Sequence, residues 1–159
     1  MKAHPRRALA AAPGFELRVA DSFARQAAMA TLGVRLGRIA PGEVELLMTH
    51  RAELTQQHGF LHAGIVACAL DSACGYAAFT LMPADAAVLT IEFKINLIAP
   101  ARGPALRFEG RVVKAGRTIS VVDGRALQSA ADGGDEAESL VATMTATVMT
   151  VVGRDGLRH

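Results

Sequence analysis

The chain has 159 residues, enough for one domain with a sizeable core and too few to favour two. It is 51% hydrophobic and 20% charged, a globular balance that argues against disorder. A net charge of +2, an aromatic content of 4% and the absence of Trp argue against a nucleic-acid partner and a base-stacking surface.

The N-terminus "MKAHPRRALAAAPG" is basic and then Ala-rich, and its apolar run is too short for a signal peptide. Residues 1–18 read as a flexible tail, 19–153 as the single domain, and 154–159 as a second tail. "DSFARQAAMATLG", Asp21 to Gly33, has a capping residue, good helix formers and a Gly stop, which predicts one short helix. "VRLGRIAPGEVELLMTH" predicts two strands around Pro41-Gly42. Residues 51–61 form a loop containing Gln56, Gln57 and His58. A long apolar helix follows from about Ala63 to Leu81, closed by Pro83.

Beyond it the period changes to two. In "VLTIEFKINLI" strict alternation puts Leu89, Ile91, Phe93, Ile95 and Leu97 on one face and Thr90, Glu92, Lys94 and Asn96 on the other. "PALRFEGRVVKAG" and "RTISVVDGRALQSA" predict a hairpin, "ADGGDEAE" a polar turn, and "SLVATMTATVMTVV" a last long strand. Strands that return by tight turns form an antiparallel sheet. A helix apolar over most of its surface must be covered nearly all round. A curved antiparallel sheet wrapped around a central helix meets both demands, which makes this an α+β domain.

The helix holds one carboxylate, Asp71, within "HGFLHAGIVACALDSACGYAA". A membrane span here would put Asp71 mid-bilayer, at about 2.5–3.5 kcal/mol, and no second span exists; a helix buried inside a protein is the better reading. Asp71 shares a helix face with Cys68, Cys74 and Gly75, and the helix has no Lys or Arg to pair with it. A buried carboxylate therefore finds a backbone or hydroxyl donor, or it serves chemistry. Cys68 and Cys74 lie about 9 Å apart along a helix, too far for a disulfide. They read as reduced core thiols, which points to the cytoplasm. His58 and His62 are four apart with no Glu between them, and Asp71 is far along the helix, so no metal site is expected.

The start of the helix, "HAG", presents backbone N–H groups with the positive end of the dipole behind them, able to hold an oxyanion. A carboxylate plus an oxyanion hole are the parts for acyl transfer. Ala63 and Asp71 are eight residues apart, about 12 Å along one helix. A reacting carbonyl must sit about 3 Å from both. One helix cannot do that, whereas two antiparallel helices from two chains can. An enzyme of this kind is expected to be a dimer with two composite sites.

These residues resemble the hotdog-fold acyl-CoA thioesterases, in particular the PaaI-like (phenylacetate-pathway) branch. The resemblance rests on Gln56, His62-Ala63-Gly64, Asp71 and Gly75, followed by "TIEFKINLIAPARG", and runs from about residue 25 to 152. It implies a long helix wrapped by a five- or six-stranded antiparallel sheet, and a homodimer, often paired into a tetramer. Asp71 would activate water as general base or attack the thioester directly. The amides near Ala63 and Gly64 would hold the thioester oxygen, and His62 would orient their loop. Gln56, or its neighbour Gln57, would contact the carbonyl or the water, and Thr90 would position the water. The family often reads His-Gly-Gly where this chain has Ala63 in the middle. Lys114 and Arg117 flank the "KAGRT" turn; they read first as a solvated hairpin tip, and they are the cationic candidates for coenzyme A phosphates. Coenzyme A would be part of the substrate, with no separate cofactor. The rival readings are a hotdog hydratase or dehydratase and a non-catalytic acyl-CoA sensor.

Overall fold

The computed structural model describes residues 11–129 and 138–153. The chain runs α1 (Phe15–Ala24), α2 (Ala27–Leu32), β1 (Arg35–Ala40), β2 (Glu43–Thr49), a short 3-10 turn (Ala52–Leu54), α3 (Ala63–Phe79), β3 (Ala87–Leu97), β4 (Ala105–Lys114), β5 (Ile119–Gln128) and β6 (Ser139–Val151). All six strands join one antiparallel sheet in the order β1-β2-β4-β5-β6-β3. The long helix α3 lies in the concavity of that sheet. This is the hotdog architecture the sequence resemblance implied.

Helix and sheet touch where two glycines face each other. Gly110 of β4 pairs with Gly124 of β5 beneath the middle of α3. A methyl group added at Gly110 would come within 2.3 Å of the Ala73 carbonyl oxygen, and one at Gly124 within 2.8 Å of Cys74 Sγ. Only hydrogen fits there, so the helix backbone can settle directly on the strands. From Ala69 to Phe79 every residue of α3 except Asp71 is buried. Phe79, Phe108, Leu46, Leu70 and Val122 fill the space around the glycine contact. The outer face of the sheet is polar: Arg107 holds Glu45 at 3.3 Å together with Glu109 and Glu138.

Both ends of α3 are tied by side chains. At the start, His62 is the cap, and its Nδ1 accepts the Gly64 N–H at 3.0 Å. At the end, Thr80 Oγ1 donates to the Ala77 carbonyl and accepts the Gly42 N–H, both at 2.7 Å, which docks the β1–β2 turn. Gly42 has φ +78°, which explains a glycine after Pro41. Arg18 of α1 donates to the carbonyls of Phe79 (2.9 Å), Met82 (3.0 Å) and Pro83, and lies over the Phe79 ring at 4.4 Å.

Four expectations change. The single helix over Asp21–Gly33 is two helices with a break at Arg25–Gln26. α1 starts at Phe15, upstream of residue 19, because Phe15, Val19 and Ser22 form one buried face and Asp21 lies inside the helix. α3 stops at Phe79 rather than Leu81, where the chain tightens into Leu81-to-Ala78 and Met82-to-Phe79 hydrogen bonds ahead of Pro83.

The fourth change is in β3. Thr90 pairs with Val148 but Glu92 pairs with Thr147, so Ile91 is an extra residue in a bulge. The bulge breaks the strict alternation read from "VLTIEFKINLI". Val88 and Thr90 face the helix before it; Phe93, Ile95 and Leu97, opposite buried Ala146, Met144 and Ala142, face the helix side after it. Leu89 moves to the other face. The "ADGGDEAE" turn, except Glu138, and the tails at 1–10 and 154–159 lie outside the described residues. No helix of the described residues is long and apolar enough to cross a membrane.

Candidate active site

Asp71 is the half-buried residue in the otherwise buried stretch of α3. Thr90 Oγ1 donates to Asp71 Oδ1 at 2.8 Å. The bulge at Ile91 makes this contact possible, since it lets Thr90 share the helix side with Phe93. Burial pushes the Asp71 carboxyl above its ordinary value, and the Thr90 hydroxyl pulls it partly back by bonding the charged form. Burial raises the neighbouring thiols too, with the Asp71 charge adding to it; Cys74 is pushed up to about 12. Cys74 is therefore held as the thiol rather than the thiolate, and Asp71 is the carboxylate on this face.

Asp71 opens on a small pocket of about 130 Å³, lined by Gln26, Ser72, Gly75, Tyr76, Val88 and Thr90. An added methyl at Gly75 would meet nothing within 4 Å, so Gly75 leaves room beside the carboxylate. Tyr76 is held from behind: its hydroxyl lies 3.2 Å from Ser22 Oγ, and its ring meets Phe23 and Phe79 edge-on.

The start of α3 borders a different cavity, of about 340 Å³. Gln56, Phe60, Ala63, Val66, Leu97 and Ile98 contribute to its wall. Gln56 is placed by a tight turn: its N–H donates to the Phe60 carbonyl (2.8 Å), its carbonyl accepts the Gly59 N–H (3.0 Å), and its side-chain oxygen accepts the His58 N–H. Gly59 takes φ +81° to close that turn. Gln57 is exposed and lies against His58, and Gln56 is the glutamine that lines the cavity. His62 is spent on the helix cap, which engages the Gly64 amide. Among the described residues no acceptor lies on the Ala63 N–H, and this is the open amide at the helix start.

One chain therefore brings Asp71 and Thr90 together, and separately Gln56 and Ala63, without joining the two sets. Lys114 and Arg117 are exposed at the β4–β5 end and line neither cavity. Gln26, Ser72, Tyr76 and Val88 were not singled out from sequence. Ser72 and Tyr76 flank Asp71 on the helix, and Tyr76 is the chain's one tyrosine. Gln26 carries no such signal, because its place beside Asp71 comes from the packing of α1 and α2. Among the described residues no group of three His, Cys, Asp or Glu side chains is positioned to hold a metal ion.

A family model for the thioesterase superfamily matches residues 58–130, which include the start of α3, Asp71 and Thr90. Among solved structures, a thioesterase family protein from Silicibacter pomeroyi is 55% identical, with a TM-score of 0.84 over 88% of this chain and 100% of that one. The E. coli PaaI protein from the phenylacetic acid degradation operon is 18% identical and shares the fold, with a TM-score of 0.77 over 87% of this chain and 94% of that one. A candidate esterase from Saccharolobus solfataricus is 34% identical over 92 residues, 58% of this chain. The match spans 65% of that protein's length, and 61% of a second from the same organism. With its helix in the concavity of a six-stranded sheet and these relatives, the chain belongs to the thioesterase superfamily and carries the hotdog fold.

Proposed function

We propose that this protein hydrolyses acyl-CoA thioesters to a free acid and coenzyme A, at sites shared between two subunits. The observation that carries the reading is the Asp71–Thr90 pair, at 2.8 Å, set about 12 Å along one helix from the open Ala63 amide. Both groups lie on an uncovered side of the protomer. β3 is an edge strand, and Ile91, Phe93 and Leu97 are 53%, 44% and 53% exposed. An edge this long and apolar invites pairing with a second strand. The small residues Gly64, Ala67 and Cys68 leave the adjacent helix face low enough for close approach.

α3 runs antiparallel to β3, with Ala63 near Leu97–Ile98 and Asp71 near Thr90. A two-fold axis through the middle of β3 would bring Thr90 level with the partner's Ile98, and so Asp71 level with the partner's Ala63. Asp71 then takes a proton from water, whose oxygen bonds the acyl carbon. The Ala63 N–H, at the positive end of the helix, holds the resulting oxyanion. The carbon–sulfur bond breaks as the intermediate collapses, and the proton on Asp71 passes to the departing sulfur. Thr90 fixes one Asp71 oxygen so that the other faces the water. Gln56 supports the carbonyl from the Ala63 side, and Lys114 and Arg117 are the cations offered to coenzyme A phosphates.

The test is release of free thiol from a panel of short, medium, long and aryl acyl-CoAs. Turnover of at least one member supports the reading; binding without turnover of any member would favour the sensor. Single turnover in ¹⁸O-water then separates base from nucleophile. A general base puts solvent oxygen into the product acid at once, whereas attack by Asp71 itself first delivers its own oxygen.

A further inference from the structure

We infer that the cavity at the start of α3 receives the acyl group, and that it selects uncharged hydrocarbon chains of about eight to twelve carbons. The inference rests on the hydrolase reading above and names the substrate class of that same site.

The wall of this cavity is apolar. Gln56 is the one polar side chain among the residues that line it, and none of them carries a charge. Val66 and Val141 are buried and mark its floor, whereas Leu97 and Ile98 are exposed and mark its mouth. Ala63, whose open amide is offered to the thioester oxygen, is exposed at the mouth as well. Ala63 and Val66 are three apart on α3 and so share one helix face. The two-fold relation proposed above brings the partner's Asp71 level with Ala63. The reacting carbonyl then stays at the mouth, and the chain behind it has the cavity to enter.

The two cavities suit different parts of the reaction. The pocket at Asp71 holds about 130 Å³, and its wall includes Gln26, Ser72 and Tyr76. An apolar cavity of about 150 Å³ takes one benzene ring, so the Asp71 pocket suits water and not a chain. The cavity at Ala63, at about 340 Å³, is a little over twice the benzene-sized one, which scales from six carbons to about twelve. Protein interiors leave few voids larger than a water molecule, so an apolar hollow of this size is built to be filled. Coenzyme A, with its phosphates and amides, cannot fill it without stranding polar groups. An acyl chain ending in a carboxylate would bury a charge with no cation in the wall. A hydrocarbon chain meets neither penalty.

The test gives the full chain acetyl-, butyryl-, octanoyl-, decanoyl- and palmitoyl-CoA, with suberyl-CoA as the octanoyl analogue that ends in a carboxylate. kcat/KM should rise about three- to fourfold per added methylene as far as decanoyl and then stop rising. Suberyl-CoA should fall at least about a hundredfold below octanoyl-CoA. A rate greatest with acetyl-CoA, a rise that continues to palmitoyl-CoA, or equal use of octanoyl- and suberyl-CoA overturns the inference and leaves the hydrolase reading standing. No turnover of any of them sinks both. Val66→Phe puts a ring on the floor and should cut the decanoyl-to-butyryl ratio of kcat/KM at least about tenfold. The ratio is read because a loss of folded protein lowers both rates alike. If that variant does not fold, Ala99→Leu narrows the same cavity from a half-buried position and should lower the ratio too. A ratio equal to the parent's in the variant that folds would show that the cavity does not hold the chain.

Discussion

The two halves of α3 have the same small-residue composition and opposite surroundings. From Ala69 onward the helix is sheathed, and its backbone rests on Gly110 and Gly124. From Ala63 to Cys68 one side of it stands open beside the apolar edge of β3. In the sheathed half small residues let the helix reach its own sheet. In the open half they leave a low surface that nothing among the described residues covers. Asp71 sits at the border, close enough to the core to be raised in pKa and open enough to meet a substrate.

The border can be broken in order of severity. Asp71→Asn should lower thioester hydrolysis by at least about a hundredfold, since it removes the base; steady-state assays that find more than a tenth of the parent rate would end its assigned role. On the open side, Phe93→Glu places a charge on the β3 edge. Light scattering should report monomers, and activity should fall with the dimer by an order of magnitude or more. Fully active monomers would rule out shared sites. On the sheathed side, Gly110→Ala drives a methyl into the Ala73 carbonyl and should cost about 1–3 kcal/mol in urea unfolding. Unaltered stability there would mean the helix can lift off the sheet without penalty. Thr90→Val removes the donor that favours the charged form of Asp71, so kcat/KM should lose its activity at a higher pH than in the parent, with about a tenfold drop in rate near the limb.

The smallest effect concerns stability against pH. The folded state raises the Asp71 pKa, so between the ordinary carboxylate value and the raised one the folded chain binds more protons than the unfolded chain. Stability then falls as pH climbs through that window. Asp71→Asn should abolish this dependence and raise Tm by a few degrees at neutral pH, with no gain in acid. An equal Tm difference at both pH values would show that the carboxylate is not strained by burial.

Much of this was legible in the residues. The switch from the apolar run after His62 to period two after Pro83 identified α3 and the strands, and the separation of "HAG" from Asp71 led to the expectation, which the proposed function keeps, of a site made from two halves. Gly110 and Gly124 were not singled out, because a glycine inside a strand does not say which helix will lie over it. The Ile91 bulge was hidden as well: two alternating runs offset by one residue read as a single pattern until a partner strand sets the register. Gln26 stayed invisible because its place in the wall of the Asp71 pocket depends on a fold across 45 residues.

The grip of Arg18 on the end of α3 bears on how the chain is made. Its three carbonyl acceptors belong to Phe79, Met82 and Pro83, more than 60 residues downstream. During synthesis α1 leaves the ribosome well before those carbonyls exist. At ten amphipathic residues it is too short to persist alone. α1 should therefore settle only once the last turn of α3 has emerged, which makes the contact between the two a late step in folding, not a seed for it.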